Sequence, residues 1–355
     1  RARSKSRGGK VKILLAKRRA MGDTVFLSST VENLSAALPG SEIHVLAPGA
    51  FLPLLEGHPK IKTLLSYDEG WVSLLKKIRA LALDQYIQLH SSSGRRWMAY
   101  LSGAKAVNFS VQNNETEVAY GKHPNALEWD GFFLRSMFGE KISVPGPAPK
   151  IYLSQSEKEK GREFWKNRGI DGRRVVFLGL GASRSTKRWP AAHFARFAEL
   201  LRDRTDLVPA IIVGPGSTEA TFGGEVLDQF RAKALRAYVG ADKGDFIHAD
   251  GLSTRDLACA LSAVRAYVGN DSGPKHVAAA LGIPTFTFFG PEDPVEWHPY
   301  ARETHPVFFT PGLNCRREDE GRWCGLEVCN EQKHRCMVDL DPVDAFAEVK
   351  KTLGL

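Results

Sequence analysis

The residues best suited to chemistry form a polar turn between a predicted strand, Arg265–Val268, and a predicted small-residue helix, Pro274–Leu281. The turn reads Gly-Asn-Asp-Ser-Gly over 269–273. The first amides of a helix lack internal acceptors and attract phosphate, whereas a carboxylate such as that of Asp271 accepts hydrogen bonds from sugar hydroxyls. Capping of the helix by Asp271 is the alternative interpretation. The other groups that can face the same ligand are Ser272, Gly273 and His276.

A second loop, rich in glycine and hydroxyl residues, follows the predicted strand Val175–Leu178. It reads Gly-Leu-Gly-Ala-Ser-Arg-Ser-Thr-Lys-Arg-Trp-Pro over 179–190. Such a loop can direct backbone amides at phosphate oxygens, and Lys187 adds a positive charge without a metal. Its spacing matches neither the P-loop nor the dinucleotide fingerprint. The residues predicted to cradle the phosphates are Gly181, Ser183, Thr186 and Lys187.

A third loop, Arg-Arg-Ala-Met-Gly-Asp-Thr over 18–24, follows the first predicted strand, Lys12–Ala16. Open α/β sheets bind ligands at the edge where strands end and helices begin, so Asp23 lies where a general base could act. Gly22 would let a ligand approach the backbone closely. Taken by itself, however, this pattern favours Asp23 as the N-cap of a helix predicted over Thr24–Leu38.

Short apolar strands alternate with amphipathic helices along the chain, which is typical of parallel, doubly wound α/β domains. The Pro-rich segment 144–149 interrupts the alternation and is predicted to be a linker. The predicted strands of the first domain are Lys12–Ala16, Glu42–Leu46, Lys62–Leu65, Tyr86–Leu89 and Ala106–Phe109. Those of the second domain are Val175–Leu178, Val208–Val213, Arg236–Val239, Arg265–Val268 and Thr285–Phe288.

The composition is that of a cored protein with an excess of positive charge. The chain has 355 residues, 43% of them hydrophobic, and a net charge of +9. This length fits two domains better than one, and no apolar run is long enough to span a bilayer, so we expect a cytoplasmic protein. The positive charge implies an acidic partner, but no motif for nucleic acid is present. The basic residues of 1–10 form an arm that either docks on an anionic inner-membrane surface or stays solvated.

The three loops together resemble glycosyltransferase family 9, the ADP-heptose:lipopolysaccharide heptosyltransferases. The family signature D-[ST]-G-x-x-H-x-A-A-A-L-G-x-P, followed by F-G-P-x-D-P-x-x-W-x-P, is present over 271–299 without gaps. It departs at Glu292, where the family usually has threonine or another small residue. The M-G-D of 21–23 and the K-x-W-P of 187–190 match two further family motifs. The resemblance covers nearly the whole chain.

The resemblance implies an α/β fold of the GT-B type, in which two Rossmann-like doubly wound domains face each other across a cleft. We expect a basic arm over 1–10, an acceptor-binding domain over 11–145 and a nucleotide-sugar-binding domain over 146–340. By analogy with other GT-B enzymes, the C-terminal helix over 341–355 crosses back to the first domain.

The implied activity is an inverting, metal-independent transfer of heptose from ADP-L-glycero-β-D-manno-heptose to the inner-core sugar of lipopolysaccharide, either Kdo or heptose. Asp23 is the implied catalytic base, and Lys187 is implied to bind the donor diphosphate. Glu219 and Leu252 correspond less closely to family residues near the ribose and the adenine. The candidate acceptor contacts are Gly22, two arginines of the first loop and the polar loop after Tyr86–Leu89, namely Arg18, Arg19, His90, Ser91, Ser92, Arg95 and Arg96.

The cysteines raise a separate question about a metal. Four of them crowd into 315–336, at Cys315, Cys324, Cys329 and Cys336. In a cytoplasmic chain such a cluster suggests a structural zinc or iron more than disulfides, yet the spacing lacks a C-x-x-C, and free or partly oxidised thiols are favoured. The D-x-D at 339–341 is interpreted as a helix start rather than a catalytic metal site.

Other classes of protein fit less well. A Rossmann oxidoreductase needs a glycine fingerprint after the first strand, and a serine hydrolase needs a G-x-S-x-G elbow; neither is present. A non-catalytic sugar-nucleotide-binding protein would keep Lys187 and Asp271 but would not need Asp23, so an enzyme is favoured. The same fold acting on a protein acceptor, or with another nucleotide sugar, remains the alternative.

Overall fold

The computed structural model describes residues 10–18, 20–89, 96–110, 124–213, 217–232, 247–248, 252–318, 322–331 and 333–355. The chain forms two compact units that divide between Tyr152 and Leu153, a little beyond the predicted boundary at residue 145. Each unit contains its own parallel sheet. Within the described residues, no helix combines the length and the apolar character needed to cross a membrane.

Unit 1 is built on a five-stranded parallel sheet with the strand order β3-β2-β1-β4-β5. The chain runs outward from β1 in one direction and then resumes beside β1 at β4. A ligand-binding crevice is expected at such a reversal, next to the end of β1. The strands are β1 Lys12–Lys17, β2 Glu42–Ala47, β3 Ile61–Ser66, β4 Gln85–Leu89 and β5 Ala106–Phe109.

Helices cover both faces of this sheet. Alternate residues of its strands point to opposite sides, and both sides carry apolar side chains that must be buried. Ile13 of β1 packs into a core with α1 and α4, whereas Leu14 packs into a core with α2 and α3. The α1 helix is buried over most of its surface, which explains its largely apolar and small-residue sequence. The helices are α1 Met21–Ala37, α2 Trp71–Ala80, α3 Arg96–Leu101 and α4 Ala126–Phe138.

Unit 2 is built on a six-stranded parallel sheet with the order β11-β10-β9-β6-β7-β8. The reversal here lies between β6 and β9, the strands that precede two of the polar loops. The predicted strand Arg236–Val239 lies outside the described residues, and the two short edge strands were not predicted. The strands are β6 Val175–Gly179, β7 Val208–Val213, β8 Ile247–His248, β9 Ala266–Asn270, β10 Thr285–Phe288 and β11 Val307–Phe308.

Three helices of unit 2 begin at side-chain caps. Ser154 and Ser253 form capping boxes at α5 and α8, and the carboxylate of Asp341 accepts a hydrogen bond from the amide of Val343 at 2.7 Å. The helix start predicted at Asp341 is therefore confirmed. The helices are α5 Gln155–Lys166, α6 Ala191–Arg204, α7 Ser217–Ala232, α8 Thr254–Leu261, α9 Gly273–Ala280, α10 Arg335–Val338 and α11 Pro342–Leu353.

The C-terminal helix α11 packs on α6 of its own unit. The rings of Phe346 and Phe197 lie 6.3 Å apart, and Val349 is fully buried in the same core. The backbone carbonyl of Leu340, just before α11, accepts a hydrogen bond from the indole of Trp189 at 2.9 Å. The apolar side of α11 therefore packs within unit 2, and its expected crossing to the first domain stays a prediction.

Candidate functional site

Asp23 lies in the first turn of α1, immediately beyond the end of β1. The amide of Thr24 donates to the carbonyl of Ala20 at 3.1 Å, which closes a helical turn that already contains Met21 and Gly22. The helix therefore begins three residues before the predicted start, and its N-cap is Ala20. The interpretation of Asp23 as the N-cap is wrong. Its carboxylate instead lies near the positive end of the helix dipole, where negative charge is stabilised.

Asp23 is one of three buried charged residues that meet at the end of β1. The ammonium of Lys17, the last residue of β1, lies 3.7 Å from Asp23 Oδ1 and 2.8 Å from Asp130 Oδ2. Asp130 belongs to α4 and also accepts a hydrogen bond from the hydroxyl of Thr30 at 3.2 Å. Burial lowers the pKa of Lys17, but the two carboxylates outweigh it and raise the pKa overall, so this lysine is charged.

The two carboxylates lie at different distances from the Lys17 ammonium, and this gives them different roles. Asp130 makes the short contact and fixes the ammonium, whereas Asp23 lies about one ångström farther from it. A general base must be ionised and must be able to accept a proton. The arrangement supplies Asp23 with a nearby fixed cation. Sequence reasoning missed Lys17 and Asp130, although a lysine at the end of an otherwise apolar strand is a detectable signal.

In unit 2, Asp271 follows β9 and is almost fully buried. Lys187 contacts its Oδ2 at 2.6 Å, and Lys275 contacts its Oδ1 at 2.6 Å. Burial raises the pKa of Asp271, but the lysines outweigh burial and hold that pKa well below its usual range. The N-cap of α9 is Ser272, so the interpretation of Asp271 as a helix cap is wrong.

Lys187 reaches Asp271 from the loop that follows β6. It ends a 3₁₀ turn, Ser185–Lys187, and its side chain is 13% exposed. The preceding Thr186 holds the turn in place, because its hydroxyl donates to the carbonyl of Leu326 at 2.7 Å. Its own carbonyl lies 2.8 Å from Nε2 of His334. Thr186 therefore anchors the loop, and its predicted contact with phosphate stays a prediction.

Lys275 was not singled out from the sequence. It lies in the first turn of α9, four residues after Asp271, and its side chain reaches back to that carboxylate. Its side chain is fully buried, and its ammonium also donates to the carbonyl of Trp297 at 2.9 Å. The ammonium lies 4.8 Å from the ring centroid of Phe289. Burial lowers the pKa of Lys275 to about 8.

Asn270 is a second buried polar residue that sequence reasoning did not assign. Its amide group donates to the carbonyl of Leu180 at 2.8 Å and accepts from the amide of Trp189 at 2.8 Å. It therefore ties both ends of the β6 loop to the end of β9. Trp189 is fully buried and stacks on Phe288 with ring centroids 3.9 Å apart, so it packs the end of this loop against β10.

The remaining residues predicted for this turn lie at the start of α9. The hydroxyl of Ser272 lies 3.2 Å from that of Tyr267, and Gly273 is the first residue of the helix. Nδ1 of His276 lies 2.8 Å from the hydroxyl of Tyr300. Burial holds the pKa of His276 well below its ordinary value, so the imidazole is neutral and acts through hydrogen bonds.

Glu292, the departure from the family pattern, forms an ion pair with Arg184. Arg184 lies in the loop between Gly181 and Lys187, and its guanidinium also donates to the carbonyl of Gly325. Both side chains of the pair are mostly buried, at 17% and 22% exposed. Glu292 therefore pairs with a cation that lies within the predicted phosphate cradle.

For several other residues that were predicted to contact a ligand, the structure gives little more than their burial. Gly181 is half-buried and Ser183 exposed in the loop after β6, and Leu252 is half-buried just before α8. Gly22 is buried in α1, while Arg18 is exposed. The guanidinium of Arg96 lies over the ring of Phe109 at 5.1 Å. Glu219 belongs to α7, but its side chain is outside the description. The predicted contacts that lie outside the described residues are Arg19, His90, Ser91, Ser92 and Arg95.

The cysteine cluster is only partly covered, since residues 319–321 and 332 fall outside the described part of the chain. Cys336 is buried, and the other three are half-buried free thiols. Burial raises the pKa of Cys336 to about 12, and the neighbouring thiols act in the same direction. Within the described residues, no group of three or more potential ligands is arranged to hold a metal. The structural zinc or iron stays a prediction.

The two units, each with a parallel sheet and buried charges at the ends of its strands, form a GT-B-like α/β fold. Residues 129–320 match the sequence profile described as glycosyltransferase family 9 (heptosyltransferase). This match covers more than half of the chain, so the chain belongs to that family.

Named heptosyltransferases are among the proteins similar to this chain, which agrees with its assignment to family 9. Lipopolysaccharide heptosyltransferase 2 of Escherichia coli K12 is 22% identical over 368 residues, which cover 97% of this chain and 99% of that protein. Lipooligosaccharide heptosyltransferase 2 of Campylobacter jejuni serotype O:6 is 25% identical over 182 residues, or 51% of this chain. The match spans about half, 52%, of the length of that relative.

Solved structures show the fold. A family 9 glycosyltransferase from Veillonella parvula superposes with a TM-score of 0.75 at 17% identity, covering 97% of both chains. The E. coli ADP-heptose lipopolysaccharide heptosyltransferase II gives a TM-score of 0.74 at 20% identity, covering 97% of this chain and 98% of that one. The expected GT-B architecture is confirmed.

Proposed function

We propose that this chain transfers a heptose from ADP-L-glycero-β-D-manno-heptose to the inner-core sugar of lipopolysaccharide, either Kdo or heptose, with inversion and without a catalytic metal. Family membership and the names of the relatives support the reaction class. The observation that carries the proposal is the ion group formed by Lys187, Asp271 and Lys275 at the start of α9.

The donor half of the proposal assigns this ion group to the nucleotide sugar. Lys187 lies on a short turn and is partly exposed, so its ammonium is placed to meet the diphosphate, and the first amides of α9 add donors for phosphate oxygens. The carboxylate of Asp271 accepts hydrogen bonds from sugar hydroxyls. These residues supply the positive environment that a departing diphosphate requires.

The acceptor half assigns the proton transfer to Asp23. Its carboxylate takes the proton of the acceptor hydroxyl, whose oxygen bonds to the anomeric carbon from the face opposite ADP. The bond between that carbon and the diphosphate oxygen breaks, and its electron pair leaves with ADP. The configuration at the anomeric carbon is thereby inverted. The Lys17 ammonium, 3.7 Å from this carboxylate, supplies a fixed positive charge beside it.

The acceptor is lipid-linked, and one surface of unit 1 suits contact with an anionic membrane. Trp71 and Trp97, from α2 and α3, touch edge to face and are 57% and 41% exposed, and Tyr100 is 67% exposed. Basic and aromatic side chains together favour a membrane–water interface. The basic residues of the two helices are Lys76, Lys77, Arg79 and Arg96. We therefore propose a cytoplasmic enzyme that contacts the inner membrane peripherally.

The first test is calorimetric titration with ADP, with UDP and GDP as controls, in buffer that contains a chelator. Selective binding of ADP supports the proposed donor class, and equal binding of all three nucleotides would exclude an ADP-sugar enzyme. The second test is transfer from ADP-heptose to a Kdo-containing acceptor. Asp23→Ala should lower turnover by about 100-fold or more while ADP affinity stays within a few fold; loss of ADP binding would instead point to a structural role for Asp23.

A further inference from the structure

The two lysines that contact Asp271 differ in their surroundings. Lys187 lies on a three-residue turn and remains partly exposed. Lys275 is fully buried within α9, and the carbonyl of Trp297 at 2.9 Å and the ring of Phe289 complete its surroundings. One of the two cations can therefore leave Asp271 when a ligand arrives, and the other is fixed.

The fixed cation is not part of the family pattern. The signature D-[ST]-G-x-x-H leaves open the position that Lys275 occupies. A lysine in the buried part of a helix is costly unless it has partners, and Asp271 and Trp297 are those partners here. A role for Lys275 must therefore be sought in what it does for Asp271.

A donor that engages Lys187 creates an electrostatic problem. Asp271 is only 4% exposed. If Lys187 were its single counterion, the departure of Lys187 would leave a buried carboxylate uncompensated. Without a second cation, Asp271 would hold Lys187 back from the diphosphate. With Lys275 in contact with Oδ1, the carboxylate keeps a counterion after Lys187 has left Oδ2.

We propose that Lys275 is a positioning residue that acts as the permanent counterion of Asp271 and thereby allows Lys187 to transfer its charge to the donor diphosphate. The proposal rests on the function proposed above. It also fixes the orientation of the carboxylate, because Oδ1 stays with Lys275 and Oδ2 becomes available to a hydroxyl of the bound sugar. Lys275 itself touches no substrate.

The test uses ADP alone, which carries the diphosphate but no sugar. Lys275→Met should weaken ADP binding by about tenfold or more, because Asp271 then retains Lys187. Adding Asp271→Asn removes the charge that needs compensation, so the double variant should bind ADP within a few fold of the wild type. Lys160→Met, which removes an exposed lysine of the same unit, should leave ADP affinity unchanged.

The outcomes separate this proposal from the proposed function. If the wild-type protein fails to bind ADP, the proposed function fails. If the wild type binds ADP but Lys275→Met binds it equally well, or the double variant stays as weak as Lys275→Met, the counterion role is overturned. Should Lys275→Met fail to fold, Asp271→Asn alone decides: it should bind ADP at least as tightly as the wild type, and a tenfold loss would overturn the proposal.

Discussion

The ammonium of Lys17 lies 3.7 Å from the carboxylate of Asp23, and both side chains are almost completely buried. Asp130 holds the same ammonium at 2.8 Å from the neighbouring helix α4. The end of β1 and the start of α1 are thus joined to α4 through one cation. Because Asp130 is the nearer of the two carboxylates, Asp130 rather than Asp23 anchors Lys17.

Lys17→Met should lower turnover strongly while ADP affinity stays near the wild-type value. The methionine keeps the length of the side chain but removes the ammonium that lies between the buried carboxylates of Asp23 and Asp130. Steady-state rates with an ADP-heptose donor, together with ADP calorimetry, check this expectation.

The matched control is Lys12→Met, at the opposite end of the same strand, where the ammonium donates to the carbonyl of Leu81. That variant should retain wild-type turnover and ADP affinity. A Lys17→Met enzyme that keeps wild-type turnover would show that Lys17 serves packing alone.

Asp130→Asn should destabilise unit 1 by about 2 kcal/mol or more, because it weakens a buried, charged hydrogen bond. Urea unfolding followed by tryptophan fluorescence measures the change. Glu140→Gln is the control in the same unit, since that carboxylate is 89% exposed in its ion pair with Arg135 and should contribute little. Equal midpoints for the two variants would contradict a structural role for Asp130.

The sequence was sufficient to predict the architecture and the three loops, because buried parallel strands are short apolar runs with polar residues at their ends. The start of α1 was predicted three residues too late, because Asp23 is a far better capping residue than Ala20. The hydrogen bond from the amide of Thr24 to the carbonyl of Ala20 instead places the start of the helix at Met21. The partners of buried charges could not be predicted. Which cation meets Asp271 depends on how β6 and β9 are paired, and a lysine such as Lys275 gives no sign in the sequence that it is buried.

Glu292→Thr, which restores the usual family residue, should strengthen ADP binding severalfold. The change removes a negative charge next to the predicted phosphate cradle and releases Arg184 from its ion pair. Calorimetry with ADP and with AMP measures the effect, and the gain should be larger for ADP because it carries the additional phosphate. Weaker ADP binding by the variant would show that Arg184 needs Glu292 to hold its position.

The pKa of Lys275, lowered by burial from an ordinary value of 10.5 to about 8, predicts two opposite effects of alkaline pH. Between these two values the unfolded chain binds more protons at this site than the folded chain, so this group makes folding more favourable as pH rises. ADP affinity should change in the other direction, because a neutral Lys275 no longer compensates Asp271 and Lys187 is retained. The charged and titratable groups that face Lys275 are Asp271, Lys187, Arg302, His276 and His298.

The two histidines do not titrate in this range, because burial lowers the pKa of each below its ordinary value. Calorimetric titrations of ADP between about pH 7 and about pH 9.5 should therefore show affinity falling severalfold in the wild-type protein. In Asp271→Asn the dependence should largely disappear, since no buried carboxylate then competes for Lys187. An equal fall in both proteins would assign the effect to another group and would remove Lys275 from the control of donor binding.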